Sequence, residues 1–222
     1  MDEEAYYAGK RRAAEAAGLD PDDFMAAWRG TAADASVGRL RSPFDRAQRA
    51  LESLGVRDRP AIVQVANLDI ETIQACVFFY EGAREALAEL RERGFRLGLI
   101  SNATATTAFA VTPLKLRERL DLLVFSYEAG AAKPDPAIYQ VALKRSGCPA
   151  EEALFVGDGA NRELDAAKAL GFAALCMDHV LKAHTFRKAE LLSSESHPKV
   201  SGFAQLLALP ELAAPLTAPG PA

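Results

Sequence analysis

The chain changes texture near Tyr80, and that change constrains the fold more than any single residue does. Four apolar runs of strand length follow in order: FRLGLISN (95–102), DLLVFSYE (121–128), EALFVGDG (152–159) and FAALCMD (172–178). Between them lie GAREALAELRERG, the stretch through PLKLRERL, PDPAIYQVALKRSG and ANRELDAAKALG, each with apolar residues at helical spacing and a closing glycine or loop. Strands alternating with helices over short links require crossovers of one hand, so an α/β fold on a doubly wound parallel sheet is expected over residues 80–210. In such sheets ligands gather at the carboxyl ends of the strands, where Ser101, Glu128 and Asp158 fall.

Residues 1–79 read differently. Tyr6, Tyr7, Leu19, Phe24, Trp28, Leu40, Phe44, Leu51, Leu54, Ile62, Val65 and Ala66 recur at spacings near three and four, which predicts four or five helices and no strand. Asp20 stands as an N-cap before Pro21 at a first helical position. Phe24 and Trp28, four apart, belong to the core of this helical unit. Past Asp178 the chain turns polar and loop-like, KVSG suggests a short edge strand, FAQLLALPEL a last helix, and 211–222 a disordered tail.

Half of the 222 residues are hydrophobic, enough to bury a sizeable core. The formal charge of −4 comes from interspersed acids and bases, so no nucleic-acid stripe or polybasic membrane anchor is present. No apolar run approaches the roughly 20 residues that span a bilayer, and the first residues lack a signal-peptide core. These features suggest a cytoplasmic protein with small-molecule partners, no nucleic acid and no membrane, its oligomeric state open. Cys76, Cys148 and Cys176, widely spaced among apolar residues, read as buried reduced thiols. His179, His184 and His197 lack ligand spacing and read as surface or loop residues.

Three short stretches carry chemistry. Asp158 ends an apolar strand between Gly157 and Gly159, a natural metal position, with Glu163 in the first turns of the next helix able to hold a metal-bound water. Asp165 faces elsewhere and reads as a cap or salt-bridge partner. The bland alternative makes Asp158 an ordinary turn residue. In LGLISNATATT, the Ser101 hydroxyl and the backbone N–H groups around Asn102 can cradle a phosphate, although Ser and Asn are also common after strands. In AAKPDPAIY, Lys133 precedes the N-cap Asp135 and Pro136; a cation there opposes the helix dipole unless an anion sits nearby. Taken alone, Lys133 would read as a solvated lysine.

Together, ISNAT, FSYEAGAAKPDPAIY and LFVGDGANRELDAAKALG closely resemble the second, third and fourth motifs of haloacid dehalogenase-like (HAD) hydrolases, in the subgroup whose helical cap precedes the second motif. The match runs through residues 80–178, and residues 2–79, with AGLDPDDFMAAWR, resemble the cap. The resemblance implies a Rossmann-like HAD core and a Mg2+-dependent phosphatase of a small phosphorylated metabolite. It casts Ser101 as the phosphoryl ligand, with Asn102 beside it; Lys133 as the group that neutralises the anionic intermediate; and Asp158 as a Mg2+ ligand with Glu163 behind it. A non-catalytic anion-binding or interaction protein is the alternative, and a dehalogenase proper, which needs no metal, is a third reading.

The family's first motif, an apolar strand ending in D-x-D-x-T whose first aspartate attacks phosphorus, has no counterpart in MDEEAYYAGKRRA. AIVQVANLDIETIQ offers Asp69 and Glu71 as a relocated pair, but Ile62, Val65, Ala66 and Ile73 fit a helical face better. In this family the missing strand lies mid-sheet, between the strands ending at Ser101 and Asp158. Each stranded buried backbone group would cost about 1–3 kcal/mol against a net stability of about 5–15 kcal/mol. We therefore expect either a polypeptide that begins upstream of Met1 or a rearranged sheet, and favour the first.

Overall fold

The computed structural model describes residues 3–178 and 196–213. In chain order the elements are α1 (Glu3–Ala16), α2 (Pro21–Gly30), α3 (Ala32–Ser36), α4 (Pro43–Ser53), α5 (Arg59–Cys76), α6 (Ala83–Glu92), β1 (Gly98–Ser101), α7 (Ala105–Ala110), α8 (Leu116–Arg119), β2 (Leu122–Phe125), α9 (Ser126–Ala129), α10 (Pro136–Ser146), β3 (Leu154–Gly157), α11 (Glu163–Ala169), β4 (Ala173–Met177), β5 (Lys199–Val200), α12 (Phe203–Leu207) and α13 (Pro210–Ala213). The chain divides into two compact units. One comprises residues 1–78, 100–115 and 124–138; the other comprises 79–99, 116–123 and 139–222.

Local chemistry explains the helix starts of the first unit. Asp20 accepts from the N–H groups of Asp22 and Asp23 at 2.9 and 3.1 Å, while Ser42 and Asp45 form a reciprocal capping box at 3.0 and 3.1 Å. Asp58 accepts from the Ala61 N–H at 3.0 Å. Side-chain oxygens here take donors that a helix start leaves unpaired. The helices α1–α5 bury Phe24, Trp28, Leu51, Ile62 and Val65 against small residues such as Ala14, Ala47 and Ala50. Alanine faces let axes approach closely, and Gly9 takes this furthest: a Cβ there would overlap the Thr72 side chain where α1 packs on α5. Phe24 and Trp28 stack with ring centres 5.6 Å apart, as core residues.

The segment 61–74 is helical throughout, within α5, so Asp69 is no relocated nucleophile at a strand end. Its carboxylate forms an ion pair with Lys10, and both side chains are 1 % exposed. The Lys10 ammonium also sits 4.2 Å from the Trp28 ring centre, with the Arg46 guanidinium 4.4 Å from the same ring. Burial pulls the Lys10 amine below its usual value, and Asp69 opposes that pull.

The second unit holds the larger sheet. β4 lies between β3 and β5 with parallel pairing, in register from Leu154 opposite Ala173 to Gly157 opposite Cys176, and from Cys176 opposite Lys199. KVSG thus supplies the edge strand anticipated for it, while FAQLLALPEL splits into α12 and α13. Leu175, Met177, Val200, Leu206 and Leu212 form one core here. Tyr139, Phe155 and Phe172 form an aromatic cluster with ring centres 5.5 to 6.3 Å apart.

β1 pairs with β2 in a separate two-stranded sheet. Among the described residues β1 has no strand neighbour but β2, and β3 none but β4, so each carries one open edge. On β3, Phe155 faces the aromatic cluster, whereas Leu154 and Val156 on the other face are 37 % and 36 % exposed. A parallel strand with an apolar face in water is unusual, because such sheets are normally covered on both sides.

None of the three cysteines is in a disulfide; Cys76 and Cys176 are buried as expected, but Cys148 is only half-buried beside a turn. His197 is not on the surface: it is buried, and its Nε2–H donates to Asp165 Oδ1 at 2.9 Å. Asp165 also receives the Arg162 Nε–H at 3.2 Å, the salt-bridge role read for it. His179, His184 and the tail from 214 lie outside the described residues.

Two outcomes follow from these ion pairs. Asp69→Ala should lower stability by about 3–5 kcal/mol in urea unfolding because it strands Lys10, whereas the Lys10→Met/Asp69→Leu pair should recover most of the loss. Equal losses in both would contradict this account. The His197 hydrogen bond, aided by Arg162 and opposed by partial burial, holds the Asp165 carboxyl below its usual value. Its stabilising contribution is therefore complete above the unfolded carboxyl pKa of about 3.9 and lost as pH falls through the lower folded value. Melting curves below about pH 4 should fall less steeply for Asp165→Asn than for the parent.

Candidate functional site

Ser101 is the last residue of β1 and is half-buried; Asn102, next in the chain, is exposed. The loop that follows is tied down by its neighbours. The Asn102 side chain donates from Nδ2 to the Lys133 carbonyl at 2.9 Å and accepts the Lys133 N–H on Oδ1 at 2.6 Å. Ala103 is buried; its N–H donates to Ser126 Oγ at 2.9 Å, and its carbonyl accepts the Ser126 hydroxyl at 3.0 Å and the Tyr127 N–H at 3.3 Å. Thr104 then caps α7. On the far side of this network, Asp135 Oδ1 accepts the Ala137 N–H at 2.9 Å as α10 begins at Pro136. Within the first unit, the Asn102 side chain thus ties the loop that follows Ser101 to the Lys133 backbone in the link between α9 and α10.

Asp158 and Glu163 belong to the second unit, and the structure joins them as well. Glu163 Oε1 accepts the N–H groups of Asp158 and Gly159 at 2.9 and 3.3 Å, and Asp158 Oδ1 accepts the Ala160 N–H at 2.9 Å. Glu163 is 4 % exposed, and its charge needs such donors to be tolerated there. A Cβ at residue 157 would collide with the Glu163 carboxylate, which explains the glycine before Asp158. The chain then runs through Asn161 (φ 53°) and Arg162 (φ 54°), two successive left-handed residues that are not glycine. Each such residue stores about 1–3 kcal/mol and is held only by strong surroundings. One restraint is Tyr139, whose hydroxyl donates to the Glu163 carbonyl at 2.9 Å at the start of α11. Burial, then the Glu163 charge, pushes the Tyr139 phenol upward, so it stays protonated and donating.

Ser126, Tyr139 and the Asn161–Arg162 turn are contributors that sequence reasoning passed over. Ser126 had a usable signal: like Ser101, it is a hydroxyl residue at the carboxyl end of an apolar run. Tyr139 had none, because an aromatic residue in an amphipathic helix reads as plain core.

A magnesium ion takes hard oxygen ligands, often one or two carboxylates completed by waters and substrate oxygens. Asp158 at the end of β3 fits that chemistry as a single carboxylate ligand. Glu163 Oε1 is engaged by two backbone amides, so Glu163 shapes the Asp158 loop in addition to any role towards a metal-bound water. No group of three or more metal-ligating side chains occurs among the described residues.

The chain matches the family model of haloacid dehalogenase-like hydrolases over residues 3–171. It is 34% identical over 119 residues to haloacid dehalogenase-like hydrolase domain-containing protein 3 of Homo sapiens, covering 53% of this chain and 47% of that protein. It is 33% identical over 104 residues to phosphoserine phosphatase of Thermus thermophilus, covering 46% and 42%. The chain spans about half the length of these curated relatives. In three dimensions it resembles a HAD family enzyme of Bacteroides thetaiotaomicron with a TM-score of 0.65 at 18% identity, over 85% of this chain and 92% of that one. A match through most of the chain, with the α/β fold and the strand-end loops described above, places this protein in the haloacid dehalogenase-like hydrolase family.

Proposed function

We propose that this chain is the helical cap (residues 1–79) and α/β core of a magnesium-dependent phosphomonoesterase acting on a small phosphorylated metabolite. The observation that carries the reading is the double hydrogen bond from the Asn102 side chain to the Lys133 backbone, which ties the loop after Ser101 to the segment that bears the lysine. A hydroxyl, backbone donors and a cation suit a phosphoryl group, whose equatorial oxygens carry charge during transfer. The name of the Thermus relative, a phosphoserine phosphatase, supports the same reaction class.

In this scheme Ser101 donates to a phosphoryl oxygen, and Lys133 offsets the negative charge that builds on the group in flight. Asp158 holds the metal, and Glu163 keeps the Asp158 loop in shape by accepting its amides. When bound, the cation supplies Lewis-acid stabilisation of the transferring phosphoryl oxygens. The attacking carboxylate belongs to a further apolar strand that pairs along an open strand edge. The edge of β3 that has no strand neighbour among the described residues, and the exposed Leu154 and Val156 beside it, are what support this part. Without such a strand the reading becomes the alternative, a non-catalytic anion-binding protein.

The test compares the 222-residue chain with a version extended by the in-frame coding sequence upstream, using p-nitrophenyl phosphate with and without Mg2+. The chain by itself should be inert and the extended form active, with Asp158→Asn in the extended form losing at least about a hundredfold. Activity in the short chain would sink the proposal of an additional strand. An extended protein inert towards a broad panel of phosphate esters would sink the phosphatase reading.

A further inference from the structure

We propose that Asn102 is a positioning residue, which sets the Lys133 ammonium by gripping the Lys133 backbone and does not use its side chain on substrate. This rests on the phosphatase reading above. Both ends of the Asn102 carboxamide are spent on one residue: Nδ2–H to the Lys133 carbonyl at 2.9 Å, and Oδ1 from the Lys133 N–H at 2.6 Å. The pattern copies a hydrogen-bonded pair in an antiparallel ladder, where two residues exchange both bonds. It also assigns the amide orientation, because the flipped form would set donor against donor and acceptor against acceptor.

Two bonds to one residue's backbone restrict rotation as well as distance, which one bond cannot do. A lysine side chain has four carbons of freedom, so its head group goes to a repeatable place only if its backbone is held. Asn102 can hold it because its own neighbour is immobilised: Ala103 is buried and bonded through both its N–H and its carbonyl to Ser126, itself fully buried. Asp135 and Pro136 restrain the chain after Lys133. Asparagine is the side chain that fits. Aspartate lacks the donor, serine and threonine are too short to offer both partners, and glutamine adds a methylene to the reach. Asn102 is solvent-exposed, so burial does not explain the arrangement; its place at a strand's carboxyl end does.

The experiment uses Asn102→Ala and Asn102→Asp, each in the chain as it stands, with two readouts that need no activity. Hydrogen exchange at the Lys133 amide should speed up by about tenfold in Asn102→Ala and stay near the parent rate in Asn102→Asp, which keeps the acceptor. After reductive 13C-methylation, the Lys133 signal, assigned by Lys133→Arg, should move towards the solvent-exposed lysines in Asn102→Ala. An unchanged exchange rate or an unmoved signal overturns the proposal. In the strand-extended enzyme, Asn102→Ala and Lys133→Ala should be non-additive in kcat; additive losses, or a rise in KM alone, would mean direct substrate contact and overturn it too. If the extended enzyme is inert, the phosphatase reading fails, and the exchange and methylation results still decide the role of Asn102.

Discussion

A buried strand must pair both of its edges, and in this protein that requirement governs nearly everything else. β4 meets it by lying between β3 and β5. β1 and β3 do not meet it among the described residues, and the same two strands lead into the loops of the candidate site. The pairing pattern and the chemistry are therefore one problem. Loops at strand ends are only as well placed as the strands that deliver them, and an edge without a partner leaves several backbone groups to find acceptors elsewhere.

Within that frame, each loop is stiffened by its own local means. Around β1 and β2, side chains grip backbone: Asn102 holds Lys133, and Ser126 holds Ala103. After β3 a buried carboxylate takes this role, with Glu163 collecting the amides of Asp158 and Gly159 while Tyr139 anchors the start of α11. Both arrangements put hydrogen-bonding capacity into geometry ahead of any ligand, which is how a site avoids reorganising during a reaction. The strained Asn161–Arg162 turn fits this view, since strain persists only where surroundings over-determine the chain.

The helical unit shows a different use of charge. Lys10 and Asp69 pair inside a mostly apolar bundle, flanked by Trp28 and Arg46. A pair like this adds little net stability compared with well-packed apolar residues, but breaking it is expensive. It thereby penalises any packing of α1 on α5 that separates the two residues.

Local residue patterns carry much of this organisation. The strand and helix alternation, the helical first 79 residues, the Asp20 cap, the KVSG edge strand and the positions of Ser101 and Asp158 at element boundaries all follow from them. Such patterns report on periods of two and near four and on cap residues, which neighbouring atoms set. The buried state of His197, the pairing of Lys10 with Asp69 fifty-nine positions away, the grip of Asn102 on Lys133 and the engagement of Glu163 by backbone amides are not legible in them. Each joins residues whose partners are chosen by packing, and packing selects among many chemically reasonable partners by distance alone. Residue order therefore specified the elements and the kinds of groups at their ends. Which of those groups touch was decided only when the chain closed on itself, because hydrogen bonds and ion pairs act over a few ångströms and sequence separation carries no such measure.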